Sequence, residues 1–340
     1  MTAVISFPQV LGHEVVGYVD AVGPGVEQSW LGRRVVLNPW LSCGPRGIDP
    51  PCRWCATGDY AQCLNFVRGA LPPGIHHGNC CEATGGFAEF VPAHFSQLIA
   101  IPEDVSFDTA VLADPFSVSL HATLRHPPPT DGTALVYGCG TLGLLNIAIL
   151  RTLFPKTRIW AIARFPHQME LARRLGALEV IPWRPRLGIV ERVAELTGSE
   201  VWRPWRGLPM LDGGVDVVYD SVGSPESIEV GVRITRSRGT IVVTGVEMPQ
   251  RFEWTPLYFK EISLVGSNAF GVEEWEGRRQ HAMEWYFEIV RRYGLDCTPI
   301  ITHRFRLDEY KRAFLACYDQ GTHRAVKVLF TFPDAAGSGQ

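Results

Sequence analysis

The sequence predicts an α/β fold in which a doubly wound parallel sheet follows an irregular, β-rich region. Three observations support this prediction. After Thr133, apolar strand-like runs alternate with amphipathic helical patterns. A glycine-rich turn joins the first of these strands to the first helix, and a cluster of cysteines lies in the region before them.

The composition is typical of a globular protein with more than one domain. The chain has 340 residues, of which 46% are hydrophobic and 20% charged, and its formal net charge is −3. This balance gives no electrostatic bias toward nucleic acid or an anionic membrane, so a small-molecule ligand is favoured. The first residues show no basic segment followed by a long apolar run, and we therefore expect a cytoplasmic protein.

The β-rich region extends from about residue 9 to residue 102. Short strand patterns at 34–38, 87–91 and 98–101 are separated by loops rich in glycine and proline. Short strand patterns separated by such loops predict an irregular β domain.

The alternating region begins at Thr133. Strands are predicted at 134–137, 159–163, 178–182, 215–219, 240–244 and 262–265, and helices at 142–153, 168–175, 188–197 and 226–234. Right-handed crossovers would turn this order into a doubly wound parallel sheet. The segment 202–213 interrupts the rhythm and is expected to be a surface loop whose aromatic side chains pack locally rather than on a second subunit.

Helical patterns at 273–293 and 307–318 and a strand at 325–330 follow residue 270 and could return the chain to the first domain. We therefore predict a first, β-rich domain at 1–117, an α/β domain at 118–269 and a return to the first domain at 270–333. Residues 334–340 are predicted to be an unstructured tail.

Four cysteines have the spacing of a closed zinc site. Cys52 and Cys55 can face one ion across a tight turn, Cys63 supplies a third sulfur, and Cys43 is joined to Cys52 by a turn-prone spacer. We predict a structural zinc bound by all four, within a cysteine lobe at residues 40–66. The alternative is a set of buried or disulfide-linked cysteines. The other cysteines are expected to be reduced core thiols.

The glycine-rich turn indicates dinucleotide binding. Gly138, Gly140 and Gly143 follow a predicted strand and open a helix, so that Thr141, Leu142 and the free N–H groups of the first turn would face a pyrophosphate. The alternative is a glycine turn without a ligand. The second strand ends in Ala163 and Arg164 where an NAD site usually carries a carboxylate. Arg164 can pair with a 2′-phosphate, which favours NADP over NAD, unless it is a surface arginine beside an NAD site.

In this order, the segments 11–17 (Leu-Gly-His-Glu-Val-Val-Gly), the cysteine cluster, 85–90 (Gly-Gly-Phe-Ala-Glu-Phe) and the Gly138 turn resemble the zinc-dependent medium-chain alcohol, polyol and threonine dehydrogenases. The resemblance extends over residues 8–332. It implies a GroES-like catalytic domain, a Rossmann domain and a cleft where an alcohol meets the nicotinamide. It also implies a homodimer or homotetramer, and it assigns Val222 and Gly245 to loops that line the cofactor, although both residues could equally be turns.

The same resemblance implies a catalytic zinc bound by His13, Glu14 and Asp114, the three residues expected to be catalytic. Each has an ordinary alternative: His13 as a core histidine, Glu14 as the partner of an arginine, and Asp114 as a helix N-cap. The family also carries a zinc-binding cysteine well upstream of this histidine. Only twelve residues precede His13 and none is a cysteine, so we expect the catalytic domain to lack its N-terminal part.

The function predicted from these observations is hydride transfer between a secondary alcohol or polyol and NADP or NAD, with zinc as Lewis acid. One alternative is a non-catalytic protein that binds zinc and a dinucleotide but has lost the catalytic metal. The other is a zinc-free enone or quinone reductase, a group that resembles this chain in fold but generally lacks the cysteine lobe.

Overall fold

The computed structural model describes residues 4–247 and 251–332. The chain separates into two compact units with bounds Met1–Ser117 plus Phe270–Gln340 for the first and Val118–Ala269 for the second. The predicted tail at 334–340 lies outside the described residues. Among the helices that the structure describes, none is long and apolar enough to cross a membrane.

The first unit begins with a small antiparallel sheet. Its elements are β1 (Val16–Tyr18), β2 (Arg34–Leu37), α1 (Arg53–Thr57), β3 (Leu98–Ala100) and α2 (Phe107–Ala110). Helix α3 (Ala113–Arg125) begins in this unit and continues into the second, which starts at Val118. The sheet order is β1-β2-β3. Most of the chain between β2 and β3 is irregular and includes the cysteine lobe, so the predicted β-rich character is only partly expressed as regular strands.

The second unit is built on a parallel sheet. Its elements are β4 (Thr133–Tyr137), α4 (Thr141–Leu153), β5 (Arg158–Ala163), α5 (Pro166–Arg174), β6 (Glu179–Pro182), α6 (Arg186–Thr197), β7 (Val201–Trp202), β8 (Met210–Leu211), β9 (Val215–Asp220), α7 (Pro225–Ile234), β10 (Thr235–Val243), α8 (Thr255–Phe259) and β11 (Ser263–Gly266). The sheet order β11-β10-β9-β4-β5-β6 reverses direction next to β4, as a doubly wound fold requires. The predicted fold class is therefore confirmed.

The first unit is completed by the end of the chain. Its elements are β12 (Val272–Trp275), β13 (Arg278–His281), α9 (Ala282–Tyr293), β14 (Ile301–Arg306), α10 (Tyr310–Tyr318), α11 (Gln320–His323) and β15 (Lys327–Thr331). Strands β12 and β13 form an antiparallel hairpin, and β14 and β15 pair in parallel.

The core of the second unit follows from uninterrupted apolar strands. Every residue of β4 is buried, as are all residues of β5 except Arg158. Helices cover both faces of such a sheet, so its central strands lack the polar alternation of a half-exposed strand. This is why the strands of this unit were readable from the sequence.

Three predictions about local structure are wrong. Residues 87–91 form no strand, because Gly85, Gly86 and Phe87 instead donate irregular backbone hydrogen bonds to residues 10–12. Residues 273–281 form the β12–β13 hairpin rather than the start of a helix. Glu276 and Gly277 both have positive φ, which suits a tight two-residue turn between strands.

The third correction concerns the segment 202–213. Its middle part is an exposed loop as predicted, but its ends pair in the hairpin β7–β8. Trp205 in that loop is 93% exposed, so its indole is not packed locally as predicted. The guanidinium carbon of Arg206 lies 5.3 Å from the ring centroid of Trp205.

Asp216 links the three central strands of the parallel sheet. Its carboxylate accepts hydrogen bonds from the backbone N–H of Thr133 at 2.7 Å and the hydroxyl of Thr133 at 2.8 Å, and pairs with Nε of Arg236 at 2.6 Å. Burial alone would raise the pKa of Asp216. The hydrogen bonds from Arg236 and Thr133 outweigh it and hold the pKa below its ordinary value.

We expect Asp216→Asn to lower the free energy of unfolding by about 1–3 kcal/mol at neutral pH, because three donor groups, two on Thr133 and one on Arg236, lose a charged acceptor. A depressed carboxyl pKa stabilises the fold above its unfolded value and loses this contribution as the pH falls through the folded value. The deficit of the variant should therefore shrink in acid, as measured by denaturant unfolding at several pH values.

The matched control is Asp131→Asn, which removes an exposed ion pair with Lys156 at 3.9 Å. We expect this change to alter stability by no more than about 0.5 kcal/mol. Equal losses in the two variants would show that Asp216 has no special place in the sheet.

Candidate active site

The structure brings His13, Glu14 and Asp114 together. One donor atom from each, an imidazole nitrogen and two carboxylate oxygens, lies within 4.8 Å of the others. His13 and Glu14 immediately precede β1, whereas Asp114 lies in the first turn of α3. The three residues therefore converge from two distant parts of the first unit, as the predicted metal site requires.

Gly12 fixes the approach of His13. Its φ is +94°, and an added Cβ would lie 2.6 Å from the ring of Phe87. A larger residue would be strained at this position and would also collide with that ring. The glycine before His13 is thus required by the path of the chain.

Burial sets the protonation of two members of the trio. It raises the pKa of Asp114 to about 8, and together with the smaller effects of His76 and Lys327 it lowers the pKa of His13 to about 4. One carboxylate oxygen of Asp114, Oδ2, is buried without a hydrogen-bond partner. Burying an unpartnered carboxyl costs free energy, and a cation bound beside it would remove that cost.

Lys327 on β15 is the fourth titratable side chain at this place. Its ammonium forms an ion pair with Oε2 of Glu14, and burial lowers the pKa of Lys327 to about 8. Glu14 thus pairs with a cation, as in its ordinary alternative, although the cation is a lysine rather than an arginine. The ammonium offsets one of the two carboxylates of the trio.

His76 packs against the same group. The ring centroids of His13 and His76 are 4.6 Å apart, and the indole of Trp40 lies edge-on to His76. Nδ1 of His76 contacts the backbone carbonyl of His77, which holds the ring in place. The imidazole of His13 is therefore supported by an aromatic neighbour rather than by packed hydrocarbon.

The trio has the chemistry of a catalytic zinc site. A neutral imidazole and carboxylate oxygens are ordinary zinc ligands, and catalytic sites use three protein ligands with one position left open. The orphaned oxygen of Asp114 is the observation that a bound cation would explain. The residues present therefore suit the metal.

The cysteine lobe, residues 40–66, gathers Cys43, Cys52, Cys55 and Cys63. Their sulfur atoms all lie within 4.8 Å of one another, and all four are free thiols. The Sγ atoms of Cys43 and Cys63 are 3.7 Å apart. Tetrahedral Zn–S bonds of about 2.3 Å would place sulfurs about 3.8 Å apart, so this arrangement suits zinc.

N–H groups lie within hydrogen-bonding distance of two of these sulfur atoms. The backbone N–H of Cys52 and the side-chain amide of Asn65 reach Sγ of Cys43 at 3.3 and 3.2 Å, and the backbone N–H of Asn65 reaches Sγ of Cys63 at 3.3 Å. Hydrogen bonds of this kind orient and stabilise metal-bound thiolates.

The glycine-rich turn has the geometry of a dinucleotide loop. It joins β4 to α4 and begins at Gly138, whose φ is +92°. An added Cβ at Gly143 would lie 1.8 Å from the carbonyl oxygen of Gly138, whereas one at Gly140 would meet nothing within 4 Å. Gly143 is thus needed for packing, and Gly140 leaves open space at the start of the helix.

Thr141 and Leu142 form the first turn of α4, and Gly140 at the N-cap supplies no side chain to its N–H groups. These groups are therefore available to an anion, and the helix dipole favours negative charge there.

The loops after β9 and β10 meet this turn. A Cβ at Gly138 would lie 2.5 Å from Cγ2 of Val222, and one at Gly245 would lie 2.4 Å from the backbone of Val222. Val222 therefore lies beside the glycine turn, and Gly245 lies beside Val222, both within the second unit. The carboxylate of Asp220 fixes this loop by accepting hydrogen bonds from the N–H groups of Val222 and Gly223, both at 2.9 Å.

Arg164 follows β5 and is exposed. Its guanidinium carbon lies 5.0 Å from the ring centroid of Phe165 and 4.8 Å from that of Trp183. The two aromatic rings hold the side chain at the carboxyl end of the strand, where a doubly wound sheet binds its ligand.

Lys327, His76 and Asp220 were not singled out from the sequence. Lys327 left a signal, because it is a lone charge in an otherwise apolar strand pattern. His76 and Asp220 left none that distinguishes them from other loop histidines and strand-end aspartates.

Comparison with known proteins agrees with this architecture. The model of the alcohol dehydrogenase GroES-like domain matches residues 1–103, and the model of the zinc-binding dehydrogenase domain matches residues 141–285. Between them the two models match most of the chain.

Relatives with assigned activities match over nearly the whole chain. The L-idonate 5-dehydrogenase of Vitis vinifera is 26% identical over 331 residues, covering 96% of this chain and 80% of that protein. The sorbitol dehydrogenase of Bacillus subtilis (strain 168) is 28% identical over 310 residues, covering 91% and 77%.

Among solved structures, an alcohol dehydrogenase of E. coli CFT073 in complex with NADH superposes with a TM-score of 0.76 at 24% identity, covering 96% of this chain and 85% of that one. This likeness concerns the fold. Because both domain models match in the order that the fold shows, the chain belongs to the medium-chain family of zinc-binding dehydrogenases, oxidoreductases with a GroES-like and a Rossmann domain.

Proposed function

We propose that the protein is a zinc-dependent oxidoreductase that transfers a hydride between a secondary alcohol or polyol and a nicotinamide dinucleotide, with NADP preferred over NAD. The convergence of His13, Glu14 and Asp114 around the unpartnered Oδ2 of Asp114 is the observation that carries this proposal. The sorbitol and idonate dehydrogenases among the relatives support the substrate class.

His13, Glu14 and Asp114 would hold the catalytic metal. When bound, zinc would polarise the alcohol oxygen and lower its pKa, which prepares the carbon for loss of hydride. Burial keeps His13 neutral at ordinary pH, so that a ring nitrogen is free to coordinate. A neighbouring cation favours the ionised form of Asp114, which burial alone disfavours.

Lys327 would tune the charge of this site. Its ammonium already offsets the carboxylate of Glu14, so the charge that remains for a metal comes mainly from Asp114. Glu14 can therefore be shared between Lys327 and the metal, as a ligand that is exchanged rather than permanent.

The cysteine lobe would hold a second, structural zinc through Cys43, Cys52, Cys55 and Cys63. The sulfur spacing and the hydrogen bonds to sulfur support this assignment. A site with four protein ligands has no open position and so contributes stability rather than chemistry.

A second candidate function is that of a non-catalytic protein that binds a dinucleotide and one structural zinc. The ion pair between Lys327 and Glu14 favours it, because an internal ammonium already neutralises one member of the trio.

Counting metal separates the two candidates. We expect two zinc ions per chain, together with NADP-linked turnover of a secondary alcohol or polyol in a substrate panel. Asp114→Asn should remove one zinc and the turnover while the protein stays folded. Cys55→Ser should remove the other zinc and lower the midpoint of thermal unfolding.

One zinc per chain without turnover would establish the second candidate. Unchanged zinc content in Cys55→Ser would exclude the structural site. Atomic emission analysis of the purified protein measures both quantities.

The glycine turn gives a matched pair of variants. We expect Gly140→Ala to keep its stability but to weaken dinucleotide binding by about tenfold or more, because a methyl group would enter the space where a pyrophosphate approaches. Gly143→Ala should instead lower the free energy of unfolding by about 1–3 kcal/mol, since its Cβ would overlap the carbonyl of Gly138.

Calorimetric titration with NADPH and denaturant unfolding test this pair. If Gly140→Ala binds as well as the unmodified protein, the turn does not contact the pyrophosphate.

Arg164 gives a test of coenzyme preference. We expect Arg164→Ala to weaken NADP binding by about 1.5–3 kcal/mol while hardly changing NAD binding, because the 2′-phosphate would lose a charge-assisted hydrogen bond. Arg174→Ala, at an exposed position near the end of α5, is the control and should change neither. Equal losses for the two coenzymes in Arg164→Ala would refute the preference.

A further inference from the structure

Arg46 is a buried cation in the cysteine lobe. It lies in the spacer between Cys43 and Cys52, and the residue has no exposed surface. Arg46 is not one of the candidate catalytic or cofactor-binding residues described above.

All five N–H donors of its guanidinium are used by backbone carbonyls. Nε donates to Leu41 at 2.8 Å, Nη1 to Arg68 at 2.9 Å and Leu71 at 2.8 Å, and Nη2 to Pro72 at 3.0 Å and Gly74 at 2.7 Å. A guanidinium has five such donors, so none remains for a carboxylate. The hydrogen bonding is complete, but it supplies no formal counter-charge.

A buried charge without a counter-charge is costly even when it is hydrogen-bonded. Burial lowers the pKa of Arg46, and the ionised forms of Cys80, Cys63 and Cys43 would oppose that effect. Cys43 and Cys63 belong to the four cysteines of the lobe, whereas Cys80 does not. A tetrathiolate metal centre would hold Cys43 and Cys63 in their ionised form and would thereby supply negative charge that favours the charged guanidinium.

The need is mutual. Four thiolates around one Zn²⁺ carry a net charge of −2, and Asn65 and the N–H of Cys52 offer only dipoles to offset it. A guanidinium is the one full positive charge that the chain buries within this lobe among the described residues.

The spacer is built to hold this side chain. The backbone carbonyl of Arg46 accepts a hydrogen bond from Ala70 at 2.9 Å. Gly69 has a φ of +86°, and an added Cβ there would lie 2.5 Å from that same carbonyl oxygen. Both ends of Arg46 are thus fixed by the chain segment that follows Cys63.

We propose that Arg46 is the charge-balancing and positioning residue of the metal centre in the cysteine lobe. Its carbonyl contacts hold the segments 41–46 and 68–74 around the site, and its charge offsets that of the metal-bound thiolates. The inference rests on the structural zinc proposed above.

The test compares loss of charge with loss of hydrogen bonds in the full-length, zinc-loaded protein. Arg46→Gln removes the charge, whereas Arg46→Lys keeps it and loses part of the hydrogen bonding. We expect zinc affinity, measured by competition with a chromophoric chelator, to fall about 10- to 100-fold in Arg46→Gln and distinctly less in Arg46→Lys. A residue that only held the carbonyls would make both variants lose affinity equally, and that result would overturn the proposal.

A second comparison changes the charge of the site itself. Cys52→His replaces a thiolate by a neutral zinc ligand and lowers the negative charge by one. In that background the loss of affinity caused by Arg46→Gln should be several-fold smaller. If Arg46→Gln alone does not fold, the double variant Arg46→Gln/Cys52→His should recover folded, zinc-binding protein, and failure to recover it while Cys52→His alone folds with zinc would count against the proposal.

The metal content of the unmodified protein separates this inference from the function on which it rests. If the four cysteines bind no zinc, the structural site and the role of Arg46 both fail. If they bind zinc and Arg46→Gln keeps full affinity, only the role of Arg46 fails.

Discussion

The compensation of buried charge is the constraint on which the first unit depends. Asp114 is a carboxylate with an unpartnered oxygen, Lys327 is an ammonium in an apolar strand, and Arg46 is a guanidinium surrounded by carbonyl groups. Each would be costly alone in a protein interior. Lys327 forms an ion pair with Glu14. For Asp114 and Arg46, the metal centres proposed above would supply the opposite charge. The unit thus contains places that require an opposite charge in addition to its apolar clusters.

The second unit depends on apolar packing and close backbone contacts rather than on compensated charge. Its sheet is held by apolar strands, and the carboxylate of Asp216 on β9 is satisfied by Thr133 and Arg236. Its glycine turn depends on how closely backbone segments approach each other, with Gly143 against Gly138 and Gly245 against Val222. Steric limits decide the residues here, so substitutions at these glycines act through volume rather than charge.

This difference explains how much the sequence could predict. The strands of the second unit were predicted because buried parallel strands are apolar throughout, and the glycine turn was recognisable from its place between β4 and α4. The four cysteines were predicted as a group from their spacing, and His13, Glu14 and Asp114 were predicted as a group from the family resemblance. Whether they bind zinc stays a prediction.

The remainder depends on contacts between residues distant in sequence. No local pattern shows that Lys327 pairs with Glu14, or that the carbonyls of 68–74 surround Arg46. The β12–β13 hairpin was read as helix because its charged and apolar residues also suit a helical period, and only the turn at Glu276 and Gly277 distinguishes the two. Local packing of Trp205 was expected because isolated exposed apolar residues are common and do not by themselves indicate a second subunit, but the ring is 93% exposed and the guanidinium of Arg206 lies over it.

The spacer between Cys43 and Cys52 shows that four sulfur atoms can converge without short intervals in the sequence. Zinc-binding cysteines are usually separated by two to four residues, and here eight intervene while the first sulfur stays within 4.8 Å of the other three. The side chain of Arg46 in this spacer is buried, and its hydrogen bonds to backbone carbonyls outside the spacer hold it in place. A sequence search that requires a short, fixed interval between the cysteines would therefore miss this group of four.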